Sequence, residues 1–320
     1  MERVRITDVS PRDGLQNEPG VISTADKVEL IRLLCATGVD EVEVTSFVSP
    51  KWVPQLADAA AVCAALPRSG LSPSLTCFSA LVPNAQGLGA FLAARPGGGG
   101  RGGSDPGADQ RPVVTLNKAS IFTAASETFS KKNTNATIAE TLERFGPVVS
   151  GAHEAALLVR GYISCVVACP FEGPVAPGAV ARVARRLVDL GVDEIDLGDT
   201  IGAGTAESVL AVLAAVRAEL GGAWLRADRL TLHLHDTFGR ASECVRAALG
   251  AGVRSFDGSV AGLGGCPYAG TPGKRAPGNI STELLVRTVH DAGFATGVDM
   301  GALTRAAGFA RGIVAAGRAG

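Results

Sequence analysis

The sequence predicts an α/β chain of the (β/α)8 barrel class, and three observations carry that reading. Short strand-like runs alternate with longer helical ones along all 320 residues. Eight such pairs can be traced, which is the number a closed barrel needs. Apolar residues make up 46% of the chain and charged residues 19%, enough for a substantial core in one large domain spanning 1–320. A doubly wound sheet shares the alternation, but it would carry a glycine-rich phosphate turn after its first strand. Here the first strand runs into Pro11-Arg12-Asp13-Gly14 instead.

The strand-like runs lie at 4–9, 41–44, 74–78, 118–122, 161–167, 194–197, 230–235 and 254–260. Helical stretches occupy 24–37, 54–66, 84–94, 137–153, 177–190, 205–220 and 240–251, with 282–292 after the last strand and a helical tail beyond it. One phrase, helix stop then strand start, occurs twice: Thr37-Gly38-Val39-Asp40-Glu41 and Leu190-Gly191-Val192-Asp193-Glu194. Glycine there ends a helix by entering the left-handed region. The stretch 96–107 (PGGGGRGGSDPG) is low-complexity and reads as a flexible insert. In a barrel it falls between the third helix and the fourth strand, on the face away from chemistry. A linker between two domains is the rival reading, but the βα rhythm resumes beyond it without a change of character.

Charge and composition exclude several functions. With 30 Lys+Arg against 31 Asp+Glu the formal net charge is −1, which gives no general attraction to nucleic acid or to an acidic membrane surface. Aromatic residues are 5%, too few for a single-strand stacking platform. The seven cysteines include no CxxC pair, so neither a zinc knuckle nor a dithiol redox motif is available, and buried thiols in a reducing compartment are expected. The N-terminus has no apolar leader and no run is long enough to span a bilayer, so a cytoplasmic protein is expected.

Barrel enzymes act at the C-terminal ends of their strands. The seventh run ends Thr231-Leu232-His233-Leu234-His235-Asp236; alternation sends the leucines to one face and both histidines to the other. Two neutral imidazoles two residues apart can bind one divalent ion; the alternative is polar lining of the mouth. Of the four histidines, His153 and His290 fall in helical stretches and read as surface residues. After the first strand, adjacent Arg12 and Asp13 can supply a cation and a metal ligand, although Pro-Arg-Asp-Gly is also good turn chemistry. Glu43 would point into the mouth, where a buried carboxylate needs a partner, and Arg12 is the natural one. Asp199 stands at the tip of the sixth strand. Cys266, on a glycine-rich loop after the eighth, is placed to act as an acid or base.

Six segments make the chain resemble the 3-hydroxy-3-methylglutaryl-CoA lyase family of metal-dependent barrels: PRDGLQNE (11–18), EVTSFVSPKWVPQ (43–55), FTAASETF (122–129), LGDTIGAGT (197–205), HLHDTFG (233–239) and SVAGLGGCPYAG (259–270). The likeness covers about 4–297. It implies Asp13, His233, His235 and Asn279 as ligands of a divalent metal, Mg2+ or Mn2+. By the same resemblance Arg12 assists at the substrate carbonyl, Cys266 is the catalytic loop cysteine, and Glu43 and Asp199 orient Arg12 and the substrate. It further implies an acyl-CoA thioester as partner and a homodimer. The loop 266–279 is a few residues longer than the family pattern, which bears on the placement of Asn279; Lys274 and Arg275 within it either reach CoA phosphates or are solvated charges.

The reaction so implied is retro-Claisen cleavage of a 3-hydroxy-3-methylglutaryl thioester, with the general base left open. Three other readings are a lyase for a bulkier 3-hydroxy-3-alkylglutaryl-CoA, a condensing acyltransferase sharing the RDG and HxH motifs, and a non-catalytic thioester binder. The loop cysteine in GLGGCPY belongs with the lyases.

Overall fold

A computed structural model describes residues 1–66, 71–72, 74–95, 115–265 and 278–319. Eight parallel strands close a barrel: β1 (Arg5–Asp8), β2 (Glu41–Ser46), β3 (Cys77–Leu81), β4 (Leu116–Ala124), β5 (Leu158–Ser164), β6 (Glu194–Asp199), β7 (Leu230–Leu234) and β8 (Ser255–Gly258), with β8 pairing back onto β1. Around it lie α1 (Thr24–Cys35), α2 (Ala59–Ala64), α3 (Ala85–Ala94), α4 (Glu127–Thr134), α5 (Ile138–Glu154), α6 (Pro177–Asp189), α7 (Ala206–Leu220), α8 (Ala241–Gly250), α9 (Thr282–Asp291) and α10 (Met300–Ala319). The (β/α)8 expectation is borne out, helical tail included. The insert at 96–107 lies outside the described residues.

The repeated helix-stop phrase does structural work twice. Gly38 and Gly191 take φ of 93° and 100°, the left-handed turn glycine permits. Asp40 then accepts the Ile6 amide at 2.9 Å, and Asp193 the Val159 amide at 2.8 Å, so each aspartate pins the start of a strand to its neighbour. The next residues, Glu41 and Glu194, point inward. Outward-facing residues of the same strands, among them Ile6, Val42, Phe78, Ile195, Leu232 and Phe256, join Leu30, Phe91, Leu142, Leu187, Val216 and Val245 of the helices in one apolar layer.

Barrel interiors are commonly filled by branched apolar side chains; the lower half of this one is ionic. Lys118 Nζ lies 2.6 Å from both Glu41 and Glu194, and Arg160 reaches Glu41 at 3.0 Å and Glu194 at 2.8 Å. Thr231 adds a 2.7 Å hydrogen bond to Glu194. All four charged groups are buried. Burial alone would raise Glu41, but Arg160 and then Lys118 hold its pKa down to about 2.

Element boundaries depart from the sequence reading where local hydrogen bonds decide them. The third strand begins at Cys77, not at 74, because Ser74 Oγ and Thr76 Oγ1 donate to the carbonyls of Gly38 and Asp40 at 2.6 and 2.8 Å and tie this approach to the turn beneath β2. The stretch 54–66 divides into a short turn, Pro54–Leu56, and α2. Helix α4 is an addition; its polar sequence lacks an apolar period, and it is delimited by Ser126, which accepts the Phe129 amide at 3.1 Å, and by left-handed Asn135.

Candidate active site

The tip of β1 is a wide turn in which the Val9 carbonyl accepts the amides of Arg12, Asp13 and Gly14 at 3.2, 2.8 and 3.2 Å. Asp8 braces it, accepting Ser10 N at 2.9 Å with one oxygen and, with the other, Val260 N at 3.2 Å and the Thr282 hydroxyl at 2.6 Å. A Cβ at Gly14 would stand 2.9 Å from Ser259 Oγ, so this close approach to the β8 loop needs glycine. Arg12 and Asp13 are thereby turned toward the mouth as neighbours, 2.7 Å apart.

On β7 the alternation read from sequence holds. Leu232 and Leu234 pack outward in the apolar layer, and His233 and His235 converge inward with their Nε2 atoms 3.4 Å apart. His233 Nδ1 lies 3.1 Å from the Asp257 carboxylate on β8, its registered partner. That contact puts a proton on Nδ1; against the lowering effect of burial, it and the Asp257 charge raise the His233 pKa, and the neutral ring carries its lone pair at Nε2. Asn279 joins β7 through a bridge with His235, and the Ile280 amide donates to the Leu234 carbonyl at 2.9 Å. Its side-chain Nδ2 donates to Asp13 Oδ2 at 2.8 Å and to the Leu263 carbonyl at 3.0 Å. The four expected ligand residues, Asp13, His233, His235 and Asn279, thus meet at one place.

Arg12 is held where the sequence pairing places it. Its Nε donates to Glu43 at 2.5 Å, and its guanidinium sits 5.4 Å from the Tyr162 ring centre. Burial raises the Glu43 pKa even against the Arg12 charge. Asp13 goes the other way: burial would raise it, but Arg12, then His233 and His235, bring it down to about 2, so it stays ionised. Burial, and then the neighbouring His233, lower His235 to about 4 and keep its imidazole neutral.

Two expectations fare differently. Asp199 does stand at the mouth, but its carboxylate accepts Gly204 N at 2.7 Å and Ala203 N at 3.1 Å, which folds the β6–α7 loop onto it. Among the described residues the ion-pair partners of Arg12 are Glu43 and Asp13, while each Asp199 oxygen accepts one amide of its own loop and keeps a further lone pair. Burial, only partly offset by those two amides, raises Asp199 to about 6. Cys266, Lys274 and Arg275 lie outside the described residues. The site also contains residues the sequence reading passed over. Asp257 orients His233, Gln16 donates to Asp13 Oδ1 at 2.8 Å, and Tyr162 underlies Arg12. Asp257 had a usable signal, since it alternates with Ser255 on the strand beside the histidines.

The donor set fits a divalent cation. Asp13, His233 and His235 each offer a ligand atom, and these atoms all lie within 4.8 Å of one another. Two imidazole nitrogens facing each other at 3.4 Å beside an ionised carboxylate place lone pairs and negative charge on one point, which a cation relieves. Asp257 supplies the outer carboxylate–histidine contact that orients such a ligand. Asp196, beneath, is pushed up by burial and by the neighbouring Asp257 carboxylate.

The HMGL-like family model matches residues 3–309. The chain is 46% identical over 306 residues to the hydroxymethylglutaryl-CoA lyase of Pseudomonas mevalonii, covering 95% of this chain and 90% of that one. It is 44% identical over 305 residues to the 3-hydroxy-3-isohexenylglutaryl-CoA/hydroxy-methylglutaryl-CoA lyase of Pseudomonas aeruginosa, covering 95% and 91%. The crystal structure of the HMG-CoA lyase from Brucella melitensis superposes with a TM-score of 0.84 at 43% identity, covering 98% of this chain and 99% of that one. The chain belongs to the HMGL-like family.

Proposed function

We propose that the protein is a divalent-metal-dependent carbon–carbon lyase that cleaves 3-hydroxy-3-methylglutaryl-CoA to acetoacetate and acetyl-CoA. The observation that carries it is the convergence of Asp13, His233, His235 and Asn279 beside a buried Arg12–Glu43 pair, in a chain 46% identical to a lyase of that name. Asp13, His233, His235 and Asn279 would hold a divalent ion, Mg2+ or Mn2+ given their hard oxygen and nitrogen donors, and when bound it would supply Lewis acidity toward the tertiary hydroxyl.

The protein's residues do the rest. Asp199, with a pKa near 6, is the carboxylate at the mouth suited to take the hydroxyl proton near neutral pH. As the O–H electrons form the ketone of acetoacetate, the C2–C3 bond breaks and its pair passes into the thioester enolate. Arg12, fixed by Glu43 and kept charged by both neighbouring carboxylates, stabilises that enolate oxygen. Cys266 delivers the proton to the enolate carbon, releasing acetyl-CoA.

The assay is cleavage of the thioester by purified protein before and after EDTA. Activity that disappears with chelation and returns with Mg2+ or Mn2+ supports the reading; activity indifferent to chelation overturns it. The 44% identity to a relative named for two substrates favours a second reading, a lyase for a longer 3-alkyl chain, and the ratio of kcat/KM for the two thioesters decides between them. No described helix is long and apolar enough to cross a membrane, the six described cysteines are buried, and a cytoplasmic location is the proposal. The family resemblance adds a homodimer, which light scattering in solution measures directly.

A further inference from the structure

We infer that Gln55 is a positioning residue for the metal site, acting through the loop between the β1 turn and α1; the inference rests on the metal-site reading above. That loop touches the site at two points. Gln16 Nε2 donates to Asp13 Oδ1 at 2.8 Å, and Asn17 Nδ2 donates to the Gly265 carbonyl at 3.2 Å, at the root of the segment that leads to Cys266. Where Gln16 stands therefore affects where one oxygen of the Asp13 carboxylate points.

The loop backbone has no regular ladder to fix it, and Gln55 takes that part. Its Nε2 donates to the Gly20 carbonyl at 2.6 Å and to the Glu18 carbonyl at 3.2 Å, while its Oε1 accepts the Ile22 amide at 3.2 Å. Two donors and one acceptor on one planar group match two carbonyls and one amide, a set that a carboxamide supplies and a carboxylate does not. Gln55 is itself anchored. Its backbone carbonyl accepts from Lys27 Nζ, and Lys27 pairs with Asp58 at 2.7 Å, whose other oxygen takes the Thr24 hydroxyl at 2.7 Å. Lys27 is buried, so this anchor has little freedom.

The far side of the loop is walled by α10. A Cβ on Gly20 would fall 1.7 Å from the Gly317 carbonyl oxygen, and Arg318 pairs with Glu18 at 2.9 Å. The wall grips the Glu18 side chain, through two Arg318 hydrogen bonds at 2.9 and 3.0 Å, whereas the strut bonds the loop backbone itself at Glu18, Gly20 and Ile22. Its loss frees residues 15–22 to shift and takes the Gln16 contact off Asp13.

Gln55→Ala and Gln55→Glu test this by three readouts taken on the same preparations: Mn2+ titration calorimetry without substrate, hydrogen exchange of residues 15–22, and thermal unfolding. Outer contacts to metal ligands are commonly worth 10–100-fold in affinity, and one step further removed the expected loss is about 5–10-fold in Mn2+ affinity. Exchange across 15–22 speeds up at least as much, the melting temperature falls by no more than a few degrees, and kcat/KM falls with the affinity. A purely structural role would lower the melting temperature without moving Mn2+ affinity. If Gln55→Ala does not fold, Gln55→Glu decides, since it keeps the chain length and the acceptor for Ile22. Wild-type Mn2+ affinity and wild-type exchange in a folded Gln55→Glu overturn the inference. A wild-type protein that binds no Mn2+ overturns the metal reading instead, and exchange at 15–22 then still shows whether Gln55 holds the loop.

Discussion

Two residues apart on β2, Glu41 and Glu43 face the same barrel interior and meet opposite fates. Glu41 sits between Lys118 and Arg160, each within 3.0 Å, and its carboxylate is held ionised at about 2. Among the described residues Glu43 has one hydrogen-bonded partner, Arg12, and burial raises it. The contrast repeats across the barrel: Glu194 below Asp196 on β6, and Thr231 below His233 on β7. The lower ring matches each charge with an opposite one, so it rigidifies the barrel and offers nothing to a ligand. The upper ring leaves lone pairs converging, which is what a cation or a reacting group requires. One fold thus uses the same alternation to build a staple and, one layer higher, a reactive mouth.

The division of labour is broken most severely by His233→Ala, which should lower cleavage by ~10^3-fold or more and abolish tight Mn2+ binding while leaving the circular dichroism melt nearly unchanged. A melt that collapses instead would mean the upper ring is structural too. Lys118→Met is the converse, removing one cation from between two buried glutamates. It should cost about 3–5 kcal/mol in denaturant unfolding and leave the Mn2+ affinity of the folded protein as it was. Glu43→Gln lies between. It keeps shape but withdraws the charge that orients Arg12, and is expected to reduce kcat by roughly 10–100-fold with a smaller change in KM and in stability.

Proton uptake sharpens the same contrast. Asp199, raised to about 6, loses its basic form as pH falls below that value, so kcat/KM should decline about tenfold per unit on the acid side. Glu41 is depressed from an ordinary 4.5 to about 2, so its contribution to stability is complete above 4.5 and is lost as pH falls toward 2. Acid titration of unfolding should show that loss in the wild type and a smaller one in Lys118→Met. A Lys118→Met variant with an unchanged acid profile would place the stabilisation elsewhere.

Much of the site was readable in the chain because it obeys simple periods. The HxH on a strand must put both imidazoles on one side, and a buried Glu43 must find a cation. Twice-used Gly-Val-Asp-Glu reads as a helix stop with a strand start, and the structure shows its aspartates pinning neighbouring strands and its glutamates feeding the ionic ring. The ring itself was not legible: Lys118 and Arg160 look like ordinary strand charges until the barrel closes and brings four strands together. Asn279 could not be found by spacing, since it comes from a bridge with His235 across the chain. The orientation of Asp199 is set by the amides of Ala203 and Gly204, and backbone donors leave no trace in residue type.

The central claim is that the upper ring, and not the lower, grips a divalent ion. Anomalous diffraction from crystals grown with Mn2+ tests it directly. One strong peak is expected in contact with the Asp13 carboxylate, the Nε2 atoms of His233 and His235 and the Asn279 side chain, and none beside Glu41 and Glu194. No peak among those four residues at saturating Mn2+, or a peak seated in the lower ring, would contradict it.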